Sequence, residues 1–467
     1  MDAIYLYAQT FHDAKFSDLS EKVAEITKLQ VLDYFGVGLG GATQRGVPEL
    51  VALNREWGGA PQCTTLYYGD KVPAPNAAQV NVTMCHTLDF DDVHEAAIMH
   101  PGVVAIPTAL TMAEYVRGIS GEEFMTAIAL GTDMICRLGL ATRPGESIIP
   151  YGWHQTTLYG AITAAAVAGR ILKLDVDTIL NAIGIAYHRS SGNAQPVKDG
   201  ALTKRLGPGF AVKAGIESAL MAQKGLTGAR NVLEGDAGFY KVYHDNKYSR
   251  ETLVNDLGKF FETENVSIKP YPCCRGIHPF IDAALQIKSQ KTFTPDDIAQ
   301  IQLWCGPGTL DLLCAPHEFK TAPRNYVDSQ FSAPWGVTSV FVRGGATIND
   351  FSPAAIKDPA LLALAARIKP TLVDESFAGM EIEAGRVEVA FSDGSKLTEQ
   401  VNLPKGTPTN PLNFADVEEK FHGCLSILPE PLPEENVAKL IEMIKSLDKC
   451  QDVTTLIPLT LRREGRL

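Results

Sequence analysis

The sequence predicts a mainly α protein. Residues 1–265 together with 403–467 form a large helical domain, and a smaller α+β domain, residues 266–402, is inserted between them. Three observations predict this. Apolar residues recur at helical spacing through most of the first half. Near residue 265 the pattern changes to loops and strand-like alternation. After Pro404 helical spacing returns, which predicts that the tail packs back on the first half. A chain of 467 residues also exceeds one ordinary core, so two domains are the default.

Each element has its own reason. In 19–41, Val23, Ile26, Leu29, Leu32 and Phe35 share one helix face, and Ser20 is placed to cap it. Further helices are predicted over 47–56, 75–97, 105–117, 120–140, 156–172, 176–187 and 208–224. Their many Gly and Ala residues permit close helix approach. Residues 271–279 read as a loop leading into a helix over 279–289, and 297–307 alternates like a strand. Helical segments lie around 331–342 and 354–368, and 380–402 reads as a β-hairpin turning at Asp393-Gly394. Helices over 415–425 and 434–447 complete the chain, with no internal repeat.

Composition excludes several roles. With 42 basic and 54 acidic residues the net charge is −12, which argues against a nucleic-acid partner. The longest apolar stretch, 156–168, is too short to span a bilayer, so no membrane role is expected. The nine cysteines contain no CxxC pair and fit reduced thiols in a cytoplasm. The N-terminal residues carry Asp2, His12 and Asp13 and do not read as a signal peptide.

The run His86–Pro101 carries the strongest chemical signal. It places His86, Asp89, Asp91, Asp92, His94, Glu95 and His100 among apolar neighbours, and a fold keeps such a cluster where water, a cation or a substrate meets it. If Asp91–Glu95 is helical, its carboxylates share a face, which leaves three readings open: a divalent-metal site, a solvated face, or acid–base catalysis. His100, held out of helix by Pro101, is suited to a general base or to a structural hydrogen bond. His154 stands at a predicted helix start, where an anion is favoured. Lys204, in a Gly/Pro-punctuated loop, reads either as a carboxylate clamp or as solvated charge. Arg275 and His278 follow the Tyr271–Cys274 loop at the domain change, a frequent place for ligands, and Cys274 reads as a packed thiol or a nucleophile. Gly36–Gly41 matches GxGxxG, but a helix and not a strand precedes it, so close packing is the expected role.

Taken together, these pieces resemble the MmgE/PrpD superfamily of 2-methylcitrate dehydratases, cis-aconitate decarboxylases and iminodisuccinate epimerases. The resemblance rests on His86-x-x-Asp89-Phe90-Asp91-Asp92, His100-Pro101, Trp153-His154, Thr203-Lys204, Tyr271-Pro272 with His278, and the segment from Asp328 to Pro334, and it spans nearly the whole chain. It implies that the α+β domain is a lid, that the protein is a homodimer, and that catalysis on small di- or tricarboxylates needs no metal or organic cofactor. It implies Asp89, His100, His154 and Lys204 as catalytic, with His100 oriented by Asp89 and with Lys204 and His154 holding carboxylates. His278, Arg275, Asp92, Val93 and Gln330 are implied as substrate-binding. Two positions depart from the family pattern: Val93 replaces a hydroxyl residue, and Gly102 replaces a serine. Both departures remove a polar contact to substrate, and Val93 suits a less hydroxylated or alkyl-bearing acid.

The function expected is a cofactor-independent lyase, foremost a hydro-lyase, that abstracts a proton next to a carboxylate. Decarboxylation and epimerisation share the same carbanion and stand as alternatives. A non-catalytic carboxylate- or metal-binding protein is the rival from another class.

Overall fold

The computed structural model describes residues 1–146, 151–373 and 384–463. The first half is helical: α1 (Ile4–Asp13), α2 (Glu21–Gly41), α3 (Val47–Trp57), α4 (Ala74–His86), α5 (Gly102–Val116), α6 (Gly121–Leu140), α7 (Gln155–Ile171), α8 (Val176–Tyr187), α9 (Gln195–Asp199), α10 (Thr203–Gln223), α11 (Phe239–His244) and α12 (Arg250–Val254). A two-stranded hairpin, β1 (Cys63–Thr64) with β2 (Lys71–Val72), sits between α3 and α4. Ser20 caps α2 as its spacing predicts, its Oγ accepting from the Val23 N–H.

The middle of the chain carries α13 (His278–Gln290), β3 (Ile298–Cys305), the short helices α14 (Pro307–Thr309), α15 (His317–Thr321) and α16 (Tyr326–Gln330), then α17 (Ala333–Arg343) and α18 (Pro359–Ala365). Strands β4 (Ile368–Leu372), β5 (Gly385–Phe391) and β6 (Lys396–Val401) complete a sheet of order β4-β3-β5-β6. Strand β4 runs parallel to β3, and the other pairs are antiparallel. Helix α13 packs on β5, β6 and α17. At the start of β5, a Cβ on Gly385 would come within 2.7 Å of the Phe280 nitrogen. The tail forms α19 (Phe414–Leu425) and α20 (Glu434–Lys445). The molecule is therefore mainly α with a small sheet. No helix among the described residues is long and apolar enough to cross a membrane.

Helix α19 lies against α2. The glycines set aside as a nucleotide motif make this contact: a Cβ on Gly36 would stand 2.9 Å from the Phe421 ring, and one on Gly40 would stand 2.8 Å from the Cys424 carbonyl. On the opposite side, a Cβ on Gly41 would overlap the Met84 carbonyl of α4. Helix α2 is thus clamped between the tail and α4, and most of its residues are buried.

Two local expectations need correction. The helix expected over 75–97 stops at His86, and residues 87–101 are turns and isolated bridges. Asp89 takes a left-handed φ of 51°, a conformation that Asp tolerates and that ends a helix. Lys204 does not lie in a loop; it occupies the first turn of α10, and Pro208 removes only the bond to the Lys204 carbonyl. Helix α1 and strand β4 carry no clear periodic signal and were not anticipated. Of the expected hairpin, residues 380–383 lie outside the described residues.

Within α2 the glycines separate by what faces them. Gly41→Ala is expected to cost about 1–3 kcal/mol through backbone overlap. Gly38→Ala meets atoms no nearer than 3.9 Å and is expected to be neutral, or to stabilise by up to about 1 kcal/mol through helix propensity. Denaturant melts of the two variants check this.

Candidate active site

The His86–Pro101 loop runs from the C-terminal end of α4 to the start of α5, and the fold takes up its charges one by one. Asp89 is the centre. Its Oδ1 receives the Lys204 ammonium from the first turn of α10. Its Oδ2 lies 3.2 Å from the Lys269 Nζ, which also donates to the Asp89 carbonyl at 2.9 Å. All three side chains are buried, Lys269 at 1% exposure. Burial alone would raise the Asp89 pKa, but Lys204 and Lys269 outweigh it and hold the carboxyl well below its usual range. Lys269 itself is raised: burial opposes the charge, and Asp89 and Asp91 overcome it.

Asp91 binds two imidazoles. Its Oδ2 is 2.8 Å from His86 Nδ1 and 3.3 Å from His100 Nδ1. His100 Nδ1 is also 2.8 Å from the Asp92 carbonyl, which can only accept, so that nitrogen carries the proton. His100 Nε2 is then a free lone pair. The His100 backbone is fixed as well, its N–H donating to Thr156 Oγ1 in α7 at 3.0 Å. The ring is 15% exposed, and burial, only partly opposed by Asp91, brings its pKa down to about 3. His154 caps the start of α7, with Nδ1 2.7 Å from Thr157 Oγ1. Its ring centroid lies 5.9 Å from that of His86, and the His86 and His100 rings are 5.0 Å apart. Burial holds the His154 pKa well below its usual value, and it lowers that of His86 too.

The rest of the run supports this centre. Asp92 turns into the helices, where Gln30 Nε2 donates to it at 2.6 Å and the Gly102 N–H at 3.0 Å. Burial raises its pKa to about 7. Val93 pairs with Ser267 through both backbone groups. His94 meets Glu262 at 3.2 Å. Glu95 receives Arg275 Nε at 2.9 Å. From the tail, Lys420 ion-pairs with Asp33, donates to the Phe90 carbonyl at 2.7 Å and lies 3.9 Å from the Phe90 ring centre.

Asp89, Lys204, His100 and His154 therefore come together, as the sequence expects, with three differences. His100 is oriented by Asp91 and the Asp92 carbonyl, not by Asp89. Asp92, expected at the substrate, has both carboxylate oxygens bonded inside the fold, to Gln30 and to the Gly102 N–H. Gly102 is small because a Cβ there would stand 2.5 Å from the Asp92 carboxylate. Arg275 and His278 largely satisfy each other: Arg275 Nη1 donates to His278 Nδ1 at 2.8 Å, and His278 Nε2 donates to the Cys273 carbonyl at 3.3 Å. Gln330 ties α16 to the loop by donating to the Leu88 carbonyl. Cys274 is no activated nucleophile, because burial and then Asp89 raise its thiol pKa.

Sequence reasoning missed Lys269, although a lysine between Ile268 and Pro270 in an apolar stretch was a usable signal. It also missed the His86–Asp91–His100 grouping, in which one ligand atom from each lies within 4.8 Å of the others, close enough for a metal ion. In the arrangement present, the His100 Nδ1 proton points at oxygen and the carboxylate is held by N–H groups. The Asp91–Glu95 helix face that would have carried a metal is absent.

Comparison with known proteins places the chain. The MmgE/PrpD N-terminal domain profile matches residues 7–251, and the MmgE/PrpD C-terminal domain profile matches residues 271–449. The chain belongs to the MmgE/PrpD family. It is 26% identical to a cis-aconitate decarboxylase of Aspergillus terreus (strain NIH 2624 / FGSC A1156), over 95% of this chain and 92% of that one. It is 25% identical to the cis-aconitate decarboxylase of Homo sapiens, over 97% and 93%. To that of Mus musculus it is 23% identical, over 97% and 92%. These relatives support a lyase-type enzyme.

Two outcomes follow from the geometry. Asp89→Asn leaves two buried lysines without their shared counter-ion and is expected to lower stability by about 3–5 kcal/mol in denaturant melts. His100 stays neutral in the fold down to about pH 3, whereas in the unfolded chain it protonates near its ordinary value. The unfolded state therefore binds the extra proton, and this contribution to stability is lost as pH falls through that window. His100→Gln removes the loss. Relative to the unsubstituted protein, the variant is expected to gain about 1.4 kcal/mol per pH unit below about pH 6. Unfolding midpoints at pH 7, 6 and 5 measure it.

Proposed function

We propose that this protein is a cofactor-independent lyase for a small di- or tricarboxylate, working by proton transfer at a carbon next to a carboxylate. One observation carries the reading: a neutral, partly exposed imidazole, with its Nδ1 proton anchored and its Nε2 free, beside two buried lysines that share one carboxylate. Such a carbon acid is weak. Its conjugate base forms only where cations and donors meet the charge that moves onto the carboxylate oxygens.

In this reading His100 Nε2 takes the proton and Lys204 receives the charged carboxylate. His154, whose Nδ1 is occupied by Thr157, directs Nε2 to the substrate. For dehydration, the electron pair left on carbon forms the double bond as hydroxide departs from the neighbouring carbon, taking the proton that His100 has just accepted to become water. A neutral base favours this order, with abstraction first, and makes a hydro-lyase the first reading. Decarboxylation is the second reading, favoured by the names of the relatives. There the bond to the carboxyl carbon breaks first, carbon dioxide leaves, and the electron pair left on carbon takes a proton delivered from water through His100. Epimerisation would return the proton to the opposite face.

The test is a panel of small di- and tricarboxylates incubated in D₂O, followed by NMR for α-hydrogen exchange, alkene formation and loss of carbon dioxide. His100→Gln is expected to lower turnover by roughly 10²- to 10⁴-fold. Near-normal turnover by that variant, or silence of the unsubstituted protein across the panel, would remove the reading.

A further inference from the structure

Five arginines are buried among the described residues: Arg137, Arg143, Arg170, Arg205 and Arg275. Four of them hold a carboxylate, respectively Asp133, Glu146 with Asp245, Glu123, and Glu95. Arg205, at 3% exposure, makes no such ion pair. Its guanidinium makes one hydrogen bond, from Nη1 to the Arg45 carbonyl at 3.1 Å, while Nε and Nη2 are buried without a partner. A charge left this way is costly, and in the other four sites the fold avoids that cost.

The two unpartnered atoms are not an arbitrary pair. Nε and Nη2 make the lateral edge of a guanidinium, with two parallel N–H groups matched to the two oxygens of a carboxylate. Elsewhere in this chain Arg55 uses that edge for Asp70, with Nε at 3.0 Å and Nη2 at 2.9 Å. Beside Arg205, the Tyr326 hydroxyl is also buried without a partner, and the guanidinium carbon lies 4.7 Å from the Tyr326 ring centre.

The position ties this edge to the candidate active site. Arg205 directly follows Lys204 in the first turn of α10. The Lys204 ammonium lies 5.3 Å from the Phe331 ring, so two successive cations meet aromatic residues at either end of α16. Burial lowers the Arg205 pKa, and Tyr326 and then Asp89 oppose it from a distance. The single protein acceptor, Arg45, belongs to the exposed turn after α2, so the guanidinium lies close beneath the surface.

We propose that Arg205 and Tyr326 form a second carboxylate subsite, which binds a substrate carboxylate other than the one next to the reacting carbon. The proposal rests on the carboxylate-lyase reading above and narrows it. The substrate carries at least two carboxylates, and the distal one is received bidentately by Arg205. This makes Arg205 a specificity residue that separates di- and tricarboxylates from monocarboxylates.

The test uses the full-length protein and two unreactive probes, tricarballylate and propionate, in titration calorimetry. Arg205→Gln is expected to weaken tricarballylate binding roughly tenfold to a hundredfold and to leave propionate unchanged. With a substrate from the panel, KM rises and kcat is kept. Without ligand, Arg205→Gln is expected to melt no lower than the unsubstituted protein, because no ion pair is lost. Tyr326→Phe keeps the ring and is expected to weaken tricarballylate roughly threefold to tenfold. It decides the matter should Arg205→Gln fail to fold.

Unchanged tricarballylate affinity in the variants overturns the proposal, as does failure of the unsubstituted protein to bind tricarballylate at all. A large fall in ligand-free melting with binding retained marks Arg205 as purely structural. The two readings fail separately. Arg205-dependent binding in a protein inert toward every carboxylate keeps the subsite and removes the lyase. Turnover with the same KM in Arg205→Gln keeps the lyase and removes the subsite.

Discussion

The site depends on one buried ionic triad, Asp89 between Lys204 and Lys269. Its members come from the loop after α4, the first turn of α10 and the segment leading to α13. No two of these are close in sequence, so the triad forms only when the helical half and the sheet-bearing segment are in register. Buried charges penalise every arrangement that leaves one of them alone, and this makes the triad a strict reporter of correct assembly. The loop around it is held just as locally: Asp91 fixes two rings, Asp92 fastens to α2 and α5, Glu95 to Arg275, and Lys420 of α19 to the Phe90 carbonyl.

The same burial sorts the titratable groups into two populations. Asp89, with two ammonium groups beside it, stays ionised, and so does Asp91, held by the His100 and His86 rings with Lys269 nearby. Groups without that help shift toward the neutral form: Asp92 is raised, and His100, His154 and His278 are lowered. The result is a cationic frame with uncharged imidazoles inside it, a setting suited to accepting both a carboxylate and a proton.

The fold was legible wherever periodicity was long. Residues 19–41, 120–140 and 176–187 became helices within a residue or two of their expected ends. It was illegible where polar side chains overruled propensity: His86–Pro101 contains good helix formers, yet Asp89 and its partners hold it as a loop. Lys204 was misplaced because glycine and proline usually punctuate loops, whereas here Pro208 lies inside α10 at the loss of one helix hydrogen bond. At the site, residue types were readable but pairings were not. Asp89, Asp91 and Asp92 stand within four positions of one another, and only the three-dimensional arrangement tells which holds a lysine, which a histidine and which a backbone amide. Lys269 and Lys420 act from far along the chain, beyond the reach of any local pattern.

The seating of α19 on α2 has a consequence for the order of events on the ribosome. The glycine face of α2 leaves the exit tunnel several hundred residues before Phe421 and Cys424, which cover it. All of that intervening chain is synthesised while the groove, and Asp33 within it, waits for Lys420. The contact is of very high sequence separation, and such contacts form slowly because a long loop must close first. The nascent chain therefore cannot finish its helical core, or fasten the Phe90 end of the His86–Pro101 loop, until α19 has been made. Helix α19 acts as a clasp that arrives after the structure it closes.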